Sequence, residues 1–222
     1  MYKKIVPVIL LSVALTACGS ANKEATPATE SNTVATNESA TTTAPTTATE
    51  ETVAENPDVQ IADAVEMKTY KADDFSINYP ASWVEYDTTA FNQPSIKVAF
   101  NDPAPKVQFA DNVNVTVNAI DANTTIKQVV NTTLAYYEQD TTTMPNFNLI
   151  TNEQDAIQNH AVIIGEYTQP QTKVAVILTQ LIVVTQKKLY TLSISMSQNN
   201  YDNGGQEQVA QMIESFSFAD NS

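Results

Sequence analysis

Residues 174–184 read Val-Ala-Val-Ile-Leu-Thr-Gln-Leu-Ile-Val-Val, an almost unbroken apolar run rich in β-branched side chains. A strand with one wet face would alternate, so this run predicts a central strand covered on both sides. Only a short polar link containing Gln186 and Lys187 separates it from the next strand. That is too short for a crossover, so the pair must be an antiparallel hairpin. The second strand of the hairpin alternates: Tyr190, Leu192, Ile194 and Met196 against Thr191, Ser193 and Ser195. The same period of two recurs in Val113, Val115, Val117 and Ala119 against Asn114, Thr116 and Asn118. It recurs again in Phe75, Ile77 and Tyr79, where Pro80 stops the ladder. These alternating segments predict strands with one buried face. Further strands are expected at 83–87, 96–101, 147–153 and 160–168.

Two segments change to a helical period. Thr125 and Gln128 fit a capping box, followed by Ile126, Val129, Val130, Leu134 and Tyr137 on one stripe. Near the end, Val209, Met212, Ile213 and Phe216 repeat at i, i+3, i+4 and i+7. Strands of this number with two narrow-striped helices define an α+β class: a layered sandwich with a central, mainly antiparallel sheet flanked by helices. The domain runs over 67–222. About 150 residues suffice to bury nearly 70 % of the unfolded surface.

Ahead of the domain the composition differs. Lys3 and Lys4 precede an apolar stretch, 5–15, that is too short to span a bilayer, which needs about 20 residues. This reads as a secretory signal over 1–17. It ends in Leu15-Thr16-Ala17-Cys18, which resembles the lipobox of bacterial lipoproteins. The resemblance implies lipidation of Cys18, cleavage before it, and a membrane partner reached through the lipid anchor. Two or three acyl chains, at about 0.8 kcal/mol per buried methylene, would hold the protein permanently. Gly19 and Ser20 follow the cysteine. Asp in that place favours inner-membrane retention in enteric-type sorting, so Gly predicts an outer-membrane protein facing the periplasm. In a Gram-positive cell the same signal would place it on the outer face of the cytoplasmic membrane. Residues 18–66 are rich in Thr, Ala and Glu and carry no aromatic residue. They predict a disordered tether with an r.m.s. reach of about 40 Å.

Within the domain, Asp74-Phe75-Ser76-Ile77-Asn78-Tyr79-Pro80-Ala81-Ser82-Trp83 resembles the opening signature of PsbP-like domains, a strand running into Tyr-Pro-x-x-Trp. Gly165-Glu166-Tyr167 resembles the family's middle strand, and Ile213-Glu214-Ser215-Phe216 its closing helix-to-strand turn. Asp74 departs from the pattern, since many members carry Gly there. The resemblance implies the Mog1/PsbP fold, and it implies binding more than catalysis: members include a photosystem II extrinsic subunit, a Ran-GTPase partner and bacterial lipoproteins. Tyr79, Pro80 and Trp83 look structural, and no functional residue is carried across.

The chemistry of the chain narrows the rest. It has 11 Lys, no Arg, 25 Asp plus Glu and a net charge of −14, which excludes a nucleic-acid partner. One Cys and one His leave no soft metal cage, so no metal site and no cofactor are expected. His160 follows polar turn residues and reads as a strand-edge histidine; no Gly-x-Ser-x-Gly elbow accompanies it. Asp121 to Thr125 begins like a calcium loop, but Thr132 stands where its final Glu would be, so helix capping accounts for it better. Asp202-Asn203-Gly204-Gly205 reads as a turn into the last helix. No catalytic residue is expected. The first reading is a non-enzymatic envelope lipoprotein that binds a protein partner. The second is a small-ligand or glycan binder, using a polar platform of Asn114, Thr116, Asn118, Thr191, Ser193 and Ser195. A weaker third is a hydrolase built on carboxylates such as Asp73, Asp74, Glu85 and Asp87.

Overall fold

The computed structural model describes residues 65–218; the signal segment 1–17, Cys18, nearly all of the segment 18–66 and the last four residues lie outside them. The described chain opens with an antiparallel pair, β1 (Met67–Lys71) and β2 (Phe75–Pro80). Then follow β3 (Val84–Glu85), a 3-10 turn at Thr88–Phe91, β4 (Ile96–Asn101), β5 (Asn112–Ala119) and α1 (Ile126–Gln139). Four consecutive strands come next: β6 (Asn148–Asp155), β7 (His160–Thr168), β8 (Ala175–Val184) and β9 (Lys188–Ser197). The chain closes with a short turn of helix, α2 (Gln198–Asn200), the helix α3 (Gln206–Ser215) and β10 (Ser217–Phe218).

The apolar run is β8, and it forms the expected hairpin with β9. The link is tied by Thr185, whose N–H donates to the Lys188 carbonyl at 2.9 Å and whose hydroxyl accepts from the Lys188 N–H at 3.1 Å. These strands lie inside a seven-stranded antiparallel sheet ordered β3-β4-β5-β9-β8-β7-β6. The segment around Phe75 is not part of it. β2 lies between β1 and β10 in a separate three-stranded sheet.

The large sheet is covered differently on its two faces. On one face α1 packs Ile126, Val129 and Val130 against Ala161, Ile163, Ile182, Val184 and Leu189. Its first turn is held by the capping box: Gln128 N–H donates to the Thr125 hydroxyl, and the Thr125 N–H donates to Gln128 Oε1 at 2.9 Å. Leu134, expected on the stripe, is half-buried, and Thr133 is buried instead. At 3.6 residues per turn Thr133 lies between Val130 and Tyr137, and Leu134 falls on the flank. On the other face β2 and α3 cover the sheet. Phe75, Ile77, Val209 and Met212 meet Val113, Val115, Leu192, Ile194 and Met196 there.

The last helix is shorter than its apolar repeat. Phe216 is extended, and its ring instead lies 6.1 Å from that of Phe75. The turn before α3 is the expected one, with Gly204 at φ 100°, a backbone angle that L side chains rarely adopt. Gly165 answers a different need, because a Cβ there would run into the Phe147 ring.

The expectation of one wet face on β5 and β9 is overturned. All but the last few residues of β5, and all of β9 after Lys188, are buried. The reason is a second cover. Residues between β4 and β5, with Phe109 inside, join Tyr137, Met144 and Tyr167 in a cluster over Val176 and Leu178.

Trp83 is 7 % exposed and belongs to the cluster under β2 and α3. Its backbone N–H donates to the Pro80 carbonyl at 2.9 Å, so the Tyr-Pro-x-x-Trp segment is a turn that drives the indole inward. Trp83→Ala should cost about 3–5 kcal/mol through lost burial and the cavity left behind. Urea denaturation monitored by far-UV circular dichroism measures it.

Candidate functional site

The polar residues proposed as a platform do share one face. In register, Asn112 lies opposite Ser195, Asn114 opposite Ser193 and Thr116 opposite Thr191, and on the next strand Gln180 lies opposite Ser193. This is the face that α1 covers. Asn114, Thr116, Thr191, Ser193 and Ser195 are all more than nine-tenths buried, and only Asn118 is half-exposed. The row therefore cannot serve as an open binding platform. It is a polar seam within the core. Tyr137 in α1 donates its hydroxyl to Gln180 Oε1 at 2.7 Å, and Gln180 Nε2 donates to the Ser193 hydroxyl at 2.7 Å. Burial pushes the Tyr167 phenol up to about 12, against the pull of a hydrogen bond with Ser195.

The seam is not uniformly satisfied. The buried hydroxyls of Thr116, Thr133 and Thr191 have no hydrogen-bond partner. Two kinds of substitution should therefore differ in sign. Thr116→Val and Thr191→Val remove an unpartnered hydroxyl with little change in shape, and should leave stability unchanged or raise it by about 1 kcal/mol. Gln180→Leu takes one hydrogen bond from each of the Tyr137 and Ser193 hydroxyls, and should cost stability by about 1–3 kcal/mol. Thermal and urea unfolding of the three variants would separate them.

Two of the four carboxylates singled out in the sequence, Asp87 and Asp74, are held in hydrogen bonds. Asp87 caps the 3-10 turn, accepting from the Thr89 N–H at 2.9 Å and the Thr89 hydroxyl at 2.6 Å. Asp73 and Glu85 are negative neighbours that help raise the Tyr70 phenol, whose main cause of elevation is burial. Asp74 is a tie between the two sheets: its Oδ2 accepts from Lys188 Nζ at 2.7 Å and from the Tyr190 hydroxyl at 3.3 Å. Asp74, which departs from the glycine of the PsbP-like pattern that the segment resembles, thus pins the β1–β2 turn to the start of β9. His160 opens β7, opposite Asp155, as its place in the sequence implies. Among the described residues no group of three or more His, Cys, Asp or Glu side chains is placed to hold a metal ion.

One carboxylate was not singled out in the sequence. Asp111 is buried, and it accepts from the Ser197 N–H and from Asn200 Nδ2, both at 2.7 Å. Burial raises its pKa, opposed by these hydrogen bonds. It ties the start of β5 to the turn where β9 enters α2. A lone Asp in a polar stretch gives no sequence signal for this role.

The pH dependence follows from Asp74. The hydrogen bond from Lys188 comes first among the causes that hold its pKa below the ordinary 3.8. A depressed folded-state pKa contributes stability above the unfolded value and loses it as pH falls through the folded one. The stability difference between wild type and Asp74→Asn should therefore be constant near neutrality and shrink as pH falls below about 4. Because the pair is partly exposed, added salt should also shrink it.

Among the described residues the core leaves large apolar side chains exposed in three places: Phe218 on β10 of the small sheet, and the two edges of the large one. At one edge of the large sheet Val84 and Tyr86 are exposed, and Tyr86 stacks on Phe91 with ring centroids 5.3 Å apart. The capped 3-10 turn holds this aromatic pair in place. At the opposite edge Leu149 and Ile150 are exposed on β6, and Ile157, at the tip of the β6–β7 hairpin, is 94 % exposed.

The model of the PsbP family matches residues 65–218, the whole described domain, and the chain belongs to that family. Its fold is that of the solution structure of cyanobacterial PsbP (CyanoP) from Synechocystis sp. PCC 6803. The two share 15 % identity with a TM-score of 0.53, covering 72 % of this chain and 96 % of that one. The Ran-binding protein Mog1p of Saccharomyces cerevisiae is similar over 71 % of this chain and 97 % of that one, with 6 % identity and a TM-score of 0.48. LpqN of Mycobacterium tuberculosis, involved in cell envelope biogenesis, is similar over 74 % and 99 % respectively, with 10 % identity and a TM-score of 0.49. No curated protein sequence matches the chain significantly.

Proposed function

We propose that this PsbP-family chain is a lipid-anchored envelope protein whose domain binds another protein and catalyses no reaction. The observation that carries the reading is where the apolar side chains are left exposed. Val84 and Tyr86 lie at one edge of the sheet, and Leu149, Ile150 and Ile157 at the other. Large exposed apolar groups gathered at sheet edges suit a partner better than solvent. The polar row that a glycan or small ligand would have used is taken up by packing, which weighs against the second reading. Of the carboxylates proposed for hydrolysis, Asp87 caps a turn and Asp74 ties the two sheets, which weighs against the third.

The anchor belongs to the same proposal. Cys18 carries the lipid, the segment up to residue 66 spaces the domain from the bilayer, and Gly19 directs the protein to the outer membrane. Loss of Lys3 and Lys4 with the signal would take the side-chain charge from −14 to −16. That charge keeps the domain off an anionic lipid surface. In cells, Cys18→Ala should shift the protein out of the detergent-extracted membrane fraction. A mutant that remains fully processed and membrane-bound contradicts the anchor. For the domain, a photo-reactive side chain at Tyr86 or Ile157 in intact cells should yield a discrete cross-linked protein, identified by mass spectrometry. Adducts at neither position would contradict protein binding through these edges.

A further inference from the structure

Resting on the protein-binding reading, we infer that the outer edge of β6 takes up an extended, cationic segment of a partner protein as an added strand. The argument begins with the edges of the two sheets. Among the described residues these are β1, β10, β3 and β6. β3 and β10 are two residues long and offer almost nothing to pair with. β1 has five residues but carries Lys68 and Lys71, charges of the kind that guard natural edges. β6 is different. It is eight residues long, contains neither Lys nor Pro, and pairs only with β7. Every second residue of an edge strand turns its N–H and C=O away from the sheet, so β6 presents unpaired backbone groups along its length. Its side chains are nearly all exposed.

The register narrows the docking segment. Pairing with β7 is irregular between Leu149 and Thr151, which sets Ile150 out as an exposed apolar knob. From Thr151 to Asp155 the ladder is regular, opposite residues 160–164. A strand added there would find five continuous residues, with Ile150 beside its end. Main-chain hydrogen bonds would supply affinity, and alternate side chains would supply specificity.

Charge selects the occupant. The hairpin 148–168 carries Glu153, Asp155 and Glu166 and no Lys. Glu153 and Asp155 are two apart and share one face of the strand. An incoming strand with Lys or Arg at alternate positions would meet both, and one with an apolar residue at its end would cover Ile150. A second copy of this chain fits poorly. Self-pairing would bring two acidic edges together on chains of net charge −14.

Two measurements on the full chain test this. The first uses synthetic peptides, acetyl-Lys-Val-Lys-Val-Lys-Val-amide and its Glu-for-Lys counterpart, followed by amide NMR at low ionic strength. The Lys peptide should shift the amides of 151–155 and slow their exchange, and the Glu peptide should do neither. The double variant Asn152→Lys/Glu153→Lys should bind the Lys peptide on the order of tenfold more weakly while melting as wild type does. Shifts scattered over the acidic surface, binding unchanged in the double variant, or self-association through β6 would each overturn the inference. The second places a photo-reactive side chain at Asn152 in intact cells and compares it with Tyr86. Adducts from Asn152 that disappear in Glu153→Lys support the edge. Adducts from Tyr86 with none from Asn152 overturn it and leave protein binding standing. Adducts from neither remove both readings.

Discussion

Burial of the β8–β9 hairpin on both faces is the constraint on which the rest of the molecule depends. A strand as apolar as β8 cannot tolerate water on either side, so the chain must supply two covers. One is α1 with the residues between β4 and β5. The other is the small sheet of β1, β2 and β10 together with α3. Each is amphipathic, or short, or both, and none has enough apolar surface to stand alone. The hairpin organises them, and they in turn keep it dry. The ties between layers are few and specific: Tyr137 to Gln180 on one face, Asp74 to Lys188 and Tyr190 on the other, and Asp111 to the β9–α2 turn.

This arrangement bears on function. The centre of the sheet is closed on both faces, and its polar side chains are buried there. Among the described residues, acidic groups other than the buried Asp111 are placed at caps, turns and the periphery, where solvation is cheap. The large apolar side chains that the large sheet leaves exposed lie at its two ends. The centre of the large sheet is closed and its ends are open.

Much of the fold was legible from the sequence because it rests on periodicity. The strands at 96–101 and 160–168 and the hairpin link at Gln186-Lys187 are local patterns, and the capping box at Thr125 is a local hydrogen-bonding rule. What the sequence could not show depends on contacts between distant segments. Thr191, Ser193 and Ser195 look like a wet face, since small polar residues in alternation usually are. Only the tertiary placement of α1 and of the residues around Phe109 reveals that they are covered. Small uncharged side chains are cheap enough to bury that polarity alone does not betray their position. Phe216 kept its apolar spacing but left the helix, because β10 must start there to pair with β2. The open edge at β6 was equally hidden, since an edge is a property of sheet order and not of the strand itself. The expectations for Cys18 and for 18–66 fall outside the described residues.

Native-state amide hydrogen exchange on the full chain tests the closed-centre, open-edge account most directly. The account predicts that backbone amides of β5, β8 and β9 exchange last and together, with the free energy of global unfolding. The amides of β3 and of the outer side of β6 should exchange earlier, through local opening. Exchange of β9 around Thr191 to Ser195 at the rates seen in β6 would contradict it, because that would mean the polar seam opens to solvent in the native protein.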